Sequence, residues 1–568
     1  MRIMPSGNPT TWCGVARGVR ARMVAPDPQG SSVAIDVASE RAPLGDQIPD
    51  GADAPRDRVD GFGTAAGVRV SRWKLLVVLV LATVALRMPA FFVEVFNSDE
   101  TFLATQAEVI REGGELYKEA TDRKPPLVPY LYAAAFSVTG STALWAARVL
   151  AMVAVVLTAL LLASEARRRY GERAAWTASL LLVFASVAFA PQDGQAANFE
   201  IFMLPAMMAA VVLASRGQAL AAGLAVAVAT LAKQTGAATL LPVLYLLWAD
   251  PPLVLEPPPP RDQGRRAPRR AGRIAAALAG FGLPIAVVAL FVGPGDLLFW
   301  AVLGNGSYLG IGSASAYVLG LFAVMTFAFL ACNLPIVWTL PRAWRERREH
   351  PETDLWLWLV SAAVSVAVGF RFFGHYYLQL LPPLVLLTAG VLARSARRVA
   401  VRTVAVAAVV AVGFSVLGYF KRPWGDEPRY ESISEYLDEV AVRGDQAAGS
   451  DRDRIFVWGH MPEIYWKSKQ RPATRFLSSG FLLGDWGSRP DGDLTTDVPT
   501  PGARELFMTD LRVHPPRFIL DTAPAGFRGS EHYPISKFPE LKTFVDTEYR
   551  YVRTIDGIFI YERRRAAR

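Results

Sequence analysis

Acidic and basic residues stand where long apolar stretches of this chain begin or end, and their types suit a defined chemistry. The acids are Asp99, Glu100, Asp122, Asp193 and Glu200, and the bases are Lys124, Arg148, Lys233, Arg371 and His375. Ionisable side chains beside membrane-length apolar segments are costly to bury and are commonly functional. A carboxylate can take a proton from a hydroxyl group, and lysine or arginine can bind a phosphate. The set therefore predicts a reaction at a membrane surface in which a hydroxyl attacks and a phosphate leaves.

The elements that must position these residues are membrane helices. Hydrophobic residues make up 52% of the 568 residues and charged residues 20%, whereas a soluble domain is about 25% charged. The apolar residues are gathered in blocks of about twenty, the length that crosses a hydrocarbon core. The net charge of +9 comes from arginine and lysine between these blocks, which indicates the positive-inside rule rather than a nucleic-acid partner. The two cysteines, Cys13 and Cys332, predict no disulfide framework.

The distribution of arginine clusters predicts about eleven membrane spans, with the N-terminus in the cytoplasm. The first span runs from Trp73 to Val95 and follows Arg69, Arg72 and Lys74. The others are predicted at residues 143–164, 174–190, 199–214, 218–232, 237–249, 274–292, 316–340, 355–370, 376–393 and 401–420. In this arrangement the arginine-rich loop 261–273 and the other arginine clusters are cytoplasmic, and the acids and bases above lie on the outer face.

Two further segments are predicted to lie at the outer membrane surface. The apolar run 127–139 is short, and if it crossed, the next helix would carry Arg167, Arg168 and Arg169 to the outside, which the positive-inside rule disfavours. We therefore expect a juxtamembrane or re-entrant helix there. The stretch from Thr101 to Gly114 mixes charged and apolar residues and suits an interfacial helix.

The two ends of the chain differ from its middle. Residues 1–72 are rich in Gly, Pro, Asp, Arg and Ser and lack periodicity, which predicts a disordered cytoplasmic tail. Residues 73–420 are predicted to form the transmembrane domain, and residues 421–568 a small extracytoplasmic α/β domain. Within that last domain the pattern predicts helices at 430–442 and 504–511 and strands at 455–458, 518–520, 549–553 and 558–561. Overall the sequence predicts a polytopic α-helical membrane protein with an α/β domain at its C-terminus.

Several short motifs occur in a recognisable order. They are Asp99-Glu100, Gly114-Glu115-Leu116-Tyr117, Asp122-Arg123-Lys124-Pro125-Pro126-Leu127, Ala147-Arg148-Val149-Leu150, Phe199-Glu200, Lys233-Gln234-Thr235, His375-Tyr376-Tyr377 and Leu381-Pro382-Pro383. In this order they resemble the GT-C glycosyltransferases, in the branch of protein O-mannosyltransferases and lipid A aminoarabinose transferase. The resemblance covers about residues 73–420 and extends more loosely to Val457-Trp458-Gly459 and Pro462-Glu463-Ile464-Tyr465.

The resemblance implies an inverting transfer of a sugar, outside the membrane, from a polyprenyl-phosphate donor to a glycan, lipid or protein. It implies that Asp99 is the base, with Glu100 and Glu200 as further catalytic carboxylates. The residues expected to bind the donor phosphate or lipid are Lys124, Arg148, Lys233, Arg371, His375 and Tyr376. Asp122 and Asp193 are further site candidates. No cofactor, nucleotide sugar or metal ligand set is expected, although a divalent ion stays open, and neither the sugar nor the acceptor is specified.

Each of these residues also has a structural alternative. Asp99 and Glu100 can cap the helix that follows them. Lys124 and Lys233 can extend to the membrane interface, and Arg148 can anchor lipid headgroups.

The remaining candidates have structural alternatives as well. Asp193 can form a turn with Gly194, so Glu200 is the preferred second acid. His375 has no second His or Cys at ligand spacing, which disfavours a metal site, and Tyr376 can belong to an aromatic membrane belt.

Two other functional classes are compatible with a polytopic chain. A transporter or flippase of lipid-linked sugars would carry charges near the membrane midplane, often within repeats, whereas here the charges gather at one face. A receptor or scaffold would use the spans only to anchor the outer domain. The glycosyltransferase is the leading hypothesis, and the flippase is its alternative.

Overall fold

The computed structural model describes residues 65–249, 263–305, 315–420, 429–445, 454–483 and 500–564. The predicted disorder of residues 1–64 and the first part of the arginine-rich loop therefore lie outside the described residues. The first helix begins at Ala65, earlier than the predicted start of the span at Trp73. The helix therefore includes residues 65–72, which were expected to belong to the tail.

The described residues up to 420 are almost entirely helical, because their apolar runs satisfy all backbone groups only as helices in a membrane. The helices before the arginine-rich loop are α1 (Ala65–Leu86), α2 (Ser98–Arg111), α3 (Leu127–Thr139), α4 (Trp145–Tyr170), α5 (Glu172–Ala185), α6 (Pro191–Gly194), α7 (Phe199–Ala214), α8 (Ala219–Ala232) and α9 (Leu240–Ala249). Those after it are α10 (Gln263–Val292), α11 (Pro294–Ala301), α12 (Ser315–Cys332), α13 (Leu334–Val337), α14 (Leu340–Glu346), α15 (Thr353–Ala367), α16 (Leu381–Ala393) and α17 (Arg397–Leu417). Short 3-10 helices lie at Met88–Phe91, Gln234–Thr239, Leu303–Asn305 and Gly374–Leu380.

By length and composition, 4 described helices can cross a membrane, at Trp145–Tyr170, Arg269–Val292, Gly374–Ala393 and Arg397–Leu417. A fifth is possible if the pair Ala316–Cys332 and Leu334–Glu346, bent by 77°, is one span. Other apolar helices are 10–17 residues long, so the total of about eleven spans stays a prediction. The 13-residue helix α3 is one of these shorter helices, and its juxtamembrane position likewise stays a prediction.

The C-terminal part contains a five-stranded mixed sheet of order β2-β1-β3-β5-β4. The strands are β1 (Arg454–Trp458), β2 (Arg471–Pro472), β3 (Phe518–Asp521), β4 (Tyr549–Ile555) and β5 (Ile558–Arg563). Strand β1 is parallel to β2 and β3, and β5 is antiparallel to β3 and β4. The α-helices here are α18 (Glu431–Asp445), α19 (Pro462–Ser468), α20 (Gly480–Leu483), α21 (Ala503–Val513) and α22 (Pro539–Glu548), and 3-10 turns lie at Ala523–Ala525, Phe527–His532 and Ile535–Lys537.

These elements confirm the four strands and two helices expected from the sequence in this region. Strand β2 was not predicted, because it has only two residues and a proline, and so short a segment shows no alternation. The boundary of a separate domain at residue 421 stays a prediction.

The sheet and the helical part share hydrophobic cores. Trp300 packs with Phe476 and Phe481, at ring-centroid distances of 6.1 and 5.9 Å. Phe102 and Val109 on α2 belong to the same buried cluster as residues of β1 and β3. This packing holds the carboxyl end of the parallel strands against the N-terminal turn of α2, where the acids of the first motif lie.

Candidate active site

A cavity of about 460 Å³ lies between the N-terminus of α2, the loops at 122–124, 233–235 and 368–376, and the C-terminal sheet. The predicted site residues that line it are Asp99, Asp122, Lys124, Lys233, Arg371, His375 and Tyr376. The structure thus brings together residues that are up to 277 positions apart, from Asp99 to Tyr376. Cations and a carboxylate in one enclosed space are what the chemistry inferred above requires.

Asp99 lies in the first turn of α2, which begins after the N-cap residue Asn97, whose side chain accepts a hydrogen bond from the Asp99 backbone N–H at 2.9 Å. The Asp99 Oδ2 atom is 3.6 Å from Lys124 Nζ and 3.9 Å from His375 Nε2, and its side chain is 25% exposed. Burial raises the pKa of Asp99, but the charges of Lys124 and then His375 outweigh it and lower the pKa to about 2. Asp99 is therefore ionised at neutral pH, the state that can accept a proton.

His375 is held between carboxylates. Its Nδ1 atom is 2.6 Å from Asp193 Oδ1, and the same oxygen accepts a hydrogen bond from Asn97 Nδ2 at 2.9 Å. Its Nε2 atom is 3.9 Å from Asp99 and 4.0 Å from Glu200. Because Asp193 accepts from Nδ1, it fixes the ring orientation and directs Nε2 toward Asp99.

Lys233 and Lys124 each contact a carboxylate and an aromatic ring. For Lys124 the carboxylate is that of Asp99. Lys233 is bonded to the fully buried carboxylate of Glu200, and its Nζ atom lies 3.6 Å from the centroid of the Tyr376 ring. Lys124 Nζ lies 4.0 Å from the centroid of the Phe199 ring. Cation–π contacts of this kind keep the charge in place without neutralising it. Glu200 is outside the residues that line the cavity, and it reaches two of them, Lys233 and His375.

Glu100 and Arg148 are also outside the cavity lining, and they bind each other. Arg148 donates from Nε to Glu100 Oε1 at 2.8 Å and from Nη2 to Oε2 at 2.7 Å. Its other N–H groups donate to the carbonyl oxygens of Ala90, Val93 and Glu94 at 2.7, 2.7 and 3.0 Å. All five N–H donors of a guanidinium are thereby used. The roles expected from the sequence, catalysis for Glu100 and phosphate binding for Arg148, do not fit this geometry.

Asp122 lines the cavity beside Lys124. Its Oδ1 atom accepts a hydrogen bond from the Arg123 backbone N–H at 2.6 Å. Burial raises the pKa of Asp122, and the neighbouring charge of Lys124 opposes this. Arg123 also lines the cavity, with its guanidinium 4.1 Å from the Phe481 ring centroid. Sequence reasoning gave Arg123 no role, although it stands within the motif that contains Asp122 and Lys124.

The backbone is strained next to several of these side chains. Phe370 and Phe372, which flank Arg371, have φ of 53° and 50°. Ala190, three residues before Asp193, has φ of 45°. Bulky residues at positive φ are uncommon and are found at sites that the surrounding structure constrains. The surrounding packing therefore constrains the backbone on both sides of Arg371 and just before Asp193.

Gly374 allows the His375 segment to approach the Asp193 turn. A Cβ atom on Gly374 would lie 2.5 Å from Asp193 Oδ2 and 2.7 Å from Ala190 Cβ. Any other residue would push the two loops apart, and the 2.6 Å contact between His375 and Asp193 depends on their proximity.

The C-terminal part contributes cavity residues that the sequence did not single out. These are His460, Ser478, Gly480 and Phe481. The signal near them was the resemblance of the residues on either side of His460, which pointed to this stretch but not to the histidine. Among the described residues, no group of three or more His, Cys, Asp or Glu side chains is arranged to hold a metal ion.

Comparison with known proteins gives a family match and a shared fold. Residues 123–257 match the family model of dolichyl-phosphate-mannose-protein mannosyltransferases. A search of curated proteins by sequence gives no match. The structure is similar to that of ArnT from Cupriavidus metallidurans in the apo state, with 15% identity, 88% of this chain and 98% of ArnT covered, and a TM-score of 0.54.

The structure of ArnT bound to undecaprenyl phosphate gives 16% identity, the same coverage and a TM-score of 0.52. The oligosaccharyltransferase AglB from Archaeoglobus fulgidus, in complex with an inhibitory peptide and a dolichol-phosphate, is a more distant match. It has 14% identity over 88% of this chain and 74% of AglB, with a TM-score of 0.45.

The family match and the fold agree with the resemblance seen in the sequence. The chain has the GT-C membrane-protein fold, and its residues 123–257 are similar to the protein mannosyltransferases. At 15–16% identity the structural similarity establishes the fold, and the roles of the residues must be argued from the site.

Proposed function

We propose that this chain, which has the GT-C fold, is an inverting glycosyltransferase that uses a polyprenyl-phosphate sugar and acts outside the membrane, with Asp99 as the base. The observation that carries the proposal is the ionised carboxylate of Asp99, 3.6 Å from Lys124, in a cavity that Lys233 and Arg371 also line. A base and several cations in one cavity suit an attacking hydroxyl and a leaving phosphate.

In the proposed reaction an acceptor hydroxyl oxygen attacks the anomeric carbon of the donor sugar. The new carbon–oxygen bond forms on the face opposite the phosphate, while the bond between the anomeric carbon and the phosphate oxygen breaks. The hydroxyl proton passes to Asp99, and the bonding electron pair leaves with the polyprenyl phosphate. A single displacement of this kind inverts the anomeric configuration.

The cations stabilise the charge that develops on the departing phosphate. Lys124, Lys233 and Arg371 line the cavity, and their donors can replace the water that would otherwise solvate the phosphate. Glu200 fixes Lys233 by a buried ion pair, so we assign it a positioning role rather than a catalytic one. Asp193 has the same relation to His375.

Glu100 and Arg148 form a framework for the base in this proposal. Their buried pair joins the first turn of α2 to α4 and to the backbone at Ala90 and Val93. Glu100 also accepts a hydrogen bond from the Ala197 backbone N–H at 3.0 Å. The pair therefore fixes the turn from which the neighbouring Asp99 extends into the cavity.

The membrane orientation and the substrates belong to the same proposal. The positive-inside rule supports a cytoplasmic N-terminus and an extracytoplasmic cavity. The binding of undecaprenyl phosphate by ArnT, a protein of the same fold, supports a polyprenyl carrier for the donor. The acceptor is a hydroxyl-bearing glycan, lipid or protein of the cell envelope.

The test is a donor-consumption assay with the purified protein in nanodiscs. Radiolabelled polyprenyl-phosphate mannose, arabinofuranose and glucose are offered together with a crude envelope extract. We expect one donor to lose label in the wild type and Asp99→Asn to reduce this at least a hundredfold. Glu108→Gln is the matched control, because Glu108 lies on the same helix but pairs with Arg111 at the surface. An Asp99→Asn variant with wild-type turnover would refute the assignment of the base, and sugar-lipid movement across liposomes without transfer would favour a flippase.

A further inference from the structure

His460 enters the cavity from the C-terminal sheet and lies beside the proposed base. Its Nε2 atom is 3.2 Å from the hydroxyl oxygen of Ser98, the residue that precedes Asp99. Its ring also packs against Phe102 of α2, at a centroid distance of 6.5 Å. A side chain of the sheet thus reaches the first turn of the helix that carries Asp99, and both line the same cavity.

The turn that presents His460 is held by several independent interactions. Gly459 has φ of 132°, and a Cβ atom there would lie 2.0 Å from Thr522 Oγ1, so only glycine fits. The Gly459 N–H donates to Ser479 Oγ at 2.9 Å. Arg528 donates to the His460 carbonyl oxygen at 2.7 Å. Together these interactions fix the conformation of the turn, and with it the direction of the His460 side chain.

Arg528 is itself fixed, which completes the support. It forms a two-pronged ion pair with Glu463, at 2.7 and 3.2 Å, and the Glu463 carboxylate is almost fully buried. Glu463 belongs to the Pro462–Tyr465 stretch, which is part of the family resemblance noted in the sequence. In the structure, Glu463 of this stretch fixes Arg528, and Arg528 in turn binds the backbone of His460.

The position of His460 in the sheet is one where α/β proteins bind ligands. His460 follows the carboxyl end of β1, and Thr522 follows the carboxyl end of the adjacent parallel strand β3. In open sheets with parallel strands, ligands bind outside the carboxyl ends of the strands. Here that edge opens into the cavity that contains Asp99.

The charge state of His460 suits a neutral ligand group. Burial, followed by the nearby charge of Arg528, lowers the pKa of His460 to about 4, against the opposing influence of Glu463 and Asp99. At neutral pH the imidazole therefore has one donor and one acceptor nitrogen. An alcohol can bind one of these nitrogens, Nε2, together with the neighbouring Ser98 hydroxyl, and the uncharged ring brings no further positive charge to the phosphate side of the cavity.

We propose that His460 and Ser98 form the subsite that binds the acceptor hydroxyl next to Asp99. The proposal rests on the function proposed above and divides the cavity into two sides. The loops that carry Lys124, Lys233 and Arg371 hold the donor phosphate, and the C-terminal sheet holds the acceptor. The ligand class of the subsite is an alcohol, on a sugar or on a serine or threonine side chain.

The test separates acceptor kinetics from donor kinetics in the full-length protein in nanodiscs. The probe on the acceptor side is the crude envelope extract, titrated by mass so that a half-saturating amount can be measured. The probe on the donor side is the labelled polyprenyl-phosphate sugar, whose affinity is measured by equilibrium binding without acceptor. The variants are His460→Ala, His460→Gln and Ser98→Ala, and His532→Gln is the control because His532 is a surface histidine of the same sheet region.

We expect His460→Ala to raise the half-saturating amount of acceptor about five- to tenfold, the effect of losing one neutral hydrogen bond. His460→Gln is expected to recover part of this loss, since its amide also donates and accepts. Ser98→Ala should give a smaller increase, and donor affinity should change less than twofold in all three variants. Retained donor binding also shows that the variants are folded.

Three results would overturn the subsite. The first is an unchanged acceptor requirement in His460→Ala together with unchanged turnover. The second is a loss of donor affinity that equals the loss on the acceptor side, which would place His460 with the phosphate or in the framework. The third is a wild-type protein that consumes no donor at all, which would refute the proposed function as well and is recognised before any variant is compared.

Discussion

Replacing Arg148 by leucine distinguishes a framework residue from a phosphate-binding one. The side chain is only 4% exposed, and the carboxylate of Glu100 that it binds is fully buried. The substitution leaves that carboxylate without its two charge-assisted hydrogen bonds and leaves three backbone carbonyl oxygens without the donors described above. Breaking a buried ion pair by removing one partner costs about 3–5 kcal/mol.

The matched control is Arg111→Leu in the same region of the protein. Arg111 pairs with Glu108 at 2.5 Å, but both side chains are more than a quarter exposed. A surface pair of this kind contributes about 0–1 kcal/mol. The two variants remove the same chemical group, so the difference between them measures the effect of burial.

The assay is unfolding of the purified protein in detergent, followed by donor binding at a temperature where each variant is folded. We expect Arg148→Leu to unfold several degrees below the wild type. Arg111→Leu should unfold at the same temperature as the wild type. The folded fraction of Arg148→Leu should bind donor with near wild-type affinity. If Arg148→Leu instead unfolds like the wild type and loses donor affinity, then Arg148 binds the phosphate and the argument from its five donors is wrong.

Three further predictions concern the cavity itself. Asp99→Asn should lower kcat about 10²–10⁴-fold with little change in the unfolding temperature, measured by donor turnover and detergent unfolding. Gly374→Ala should lower turnover at least tenfold, because a Cβ there would lie 2.5 Å from a carboxylate oxygen of Asp193. The control Gly413→Ala should be neutral, because a Cβ there meets open space. Equal effects of the two substitutions in the turnover assay would refute the role of the close approach. Lys124→Met should weaken donor binding about 10–100-fold through the loss of a charge-assisted hydrogen bond, measured by equilibrium binding, and the exposed Lys118 gives the control Lys118→Met, which should bind like the wild type.

Much of this site could be predicted because two properties are visible in the sequence alone. These are the residue types and their positions at the ends of apolar blocks. The sequence could not separate Asp99 from Glu100, since adjacent residues on a helix point about 100° apart. One therefore enters the cavity and the other enters the core. Arg148 looked like an outer-face cation for a different reason, because its partner Glu100 lies 48 residues earlier in the chain and only the tertiary fold brings the two together.

His460 could not be found by spacing at all. It contacts Ser98 across 362 residues, and a lone histidine between apolar residues has no pattern that predicts its neighbours. Its contact depends on how the sheet packs against α2, which is a tertiary property. The strands β1, β3, β4 and β5 were predictable because their β-branched and aromatic runs are local.

The low pKa of Asp99 leads to a last prediction about how the donor prepares the base. A general base works best when its pKa is near the working pH, and at a pKa of about 2 Asp99 is always ionised but is a weak base. Much of the lowering comes from Lys124, at 3.6 Å. A donor phosphate that binds Lys124 would neutralise that charge and add a negative charge of its own, so both changes raise the pKa of Asp99.

The expected consequence is a difference between two pH profiles. The activity that needs ionised Asp99 is present above its pKa and is lost as the pH falls through it. The profile of kcat/KM reports the free enzyme and that of kcat reports the complex with substrate. We therefore expect the acid limb of kcat to lie at higher pH than that of kcat/KM, because the complex contains the phosphate. In Lys124→Met the cation is already absent, so the two limbs should move closer together. Coincident limbs in the wild type would show that donor binding leaves the electrostatics of Asp99 unchanged, and the phosphate would then have to bind away from Lys124.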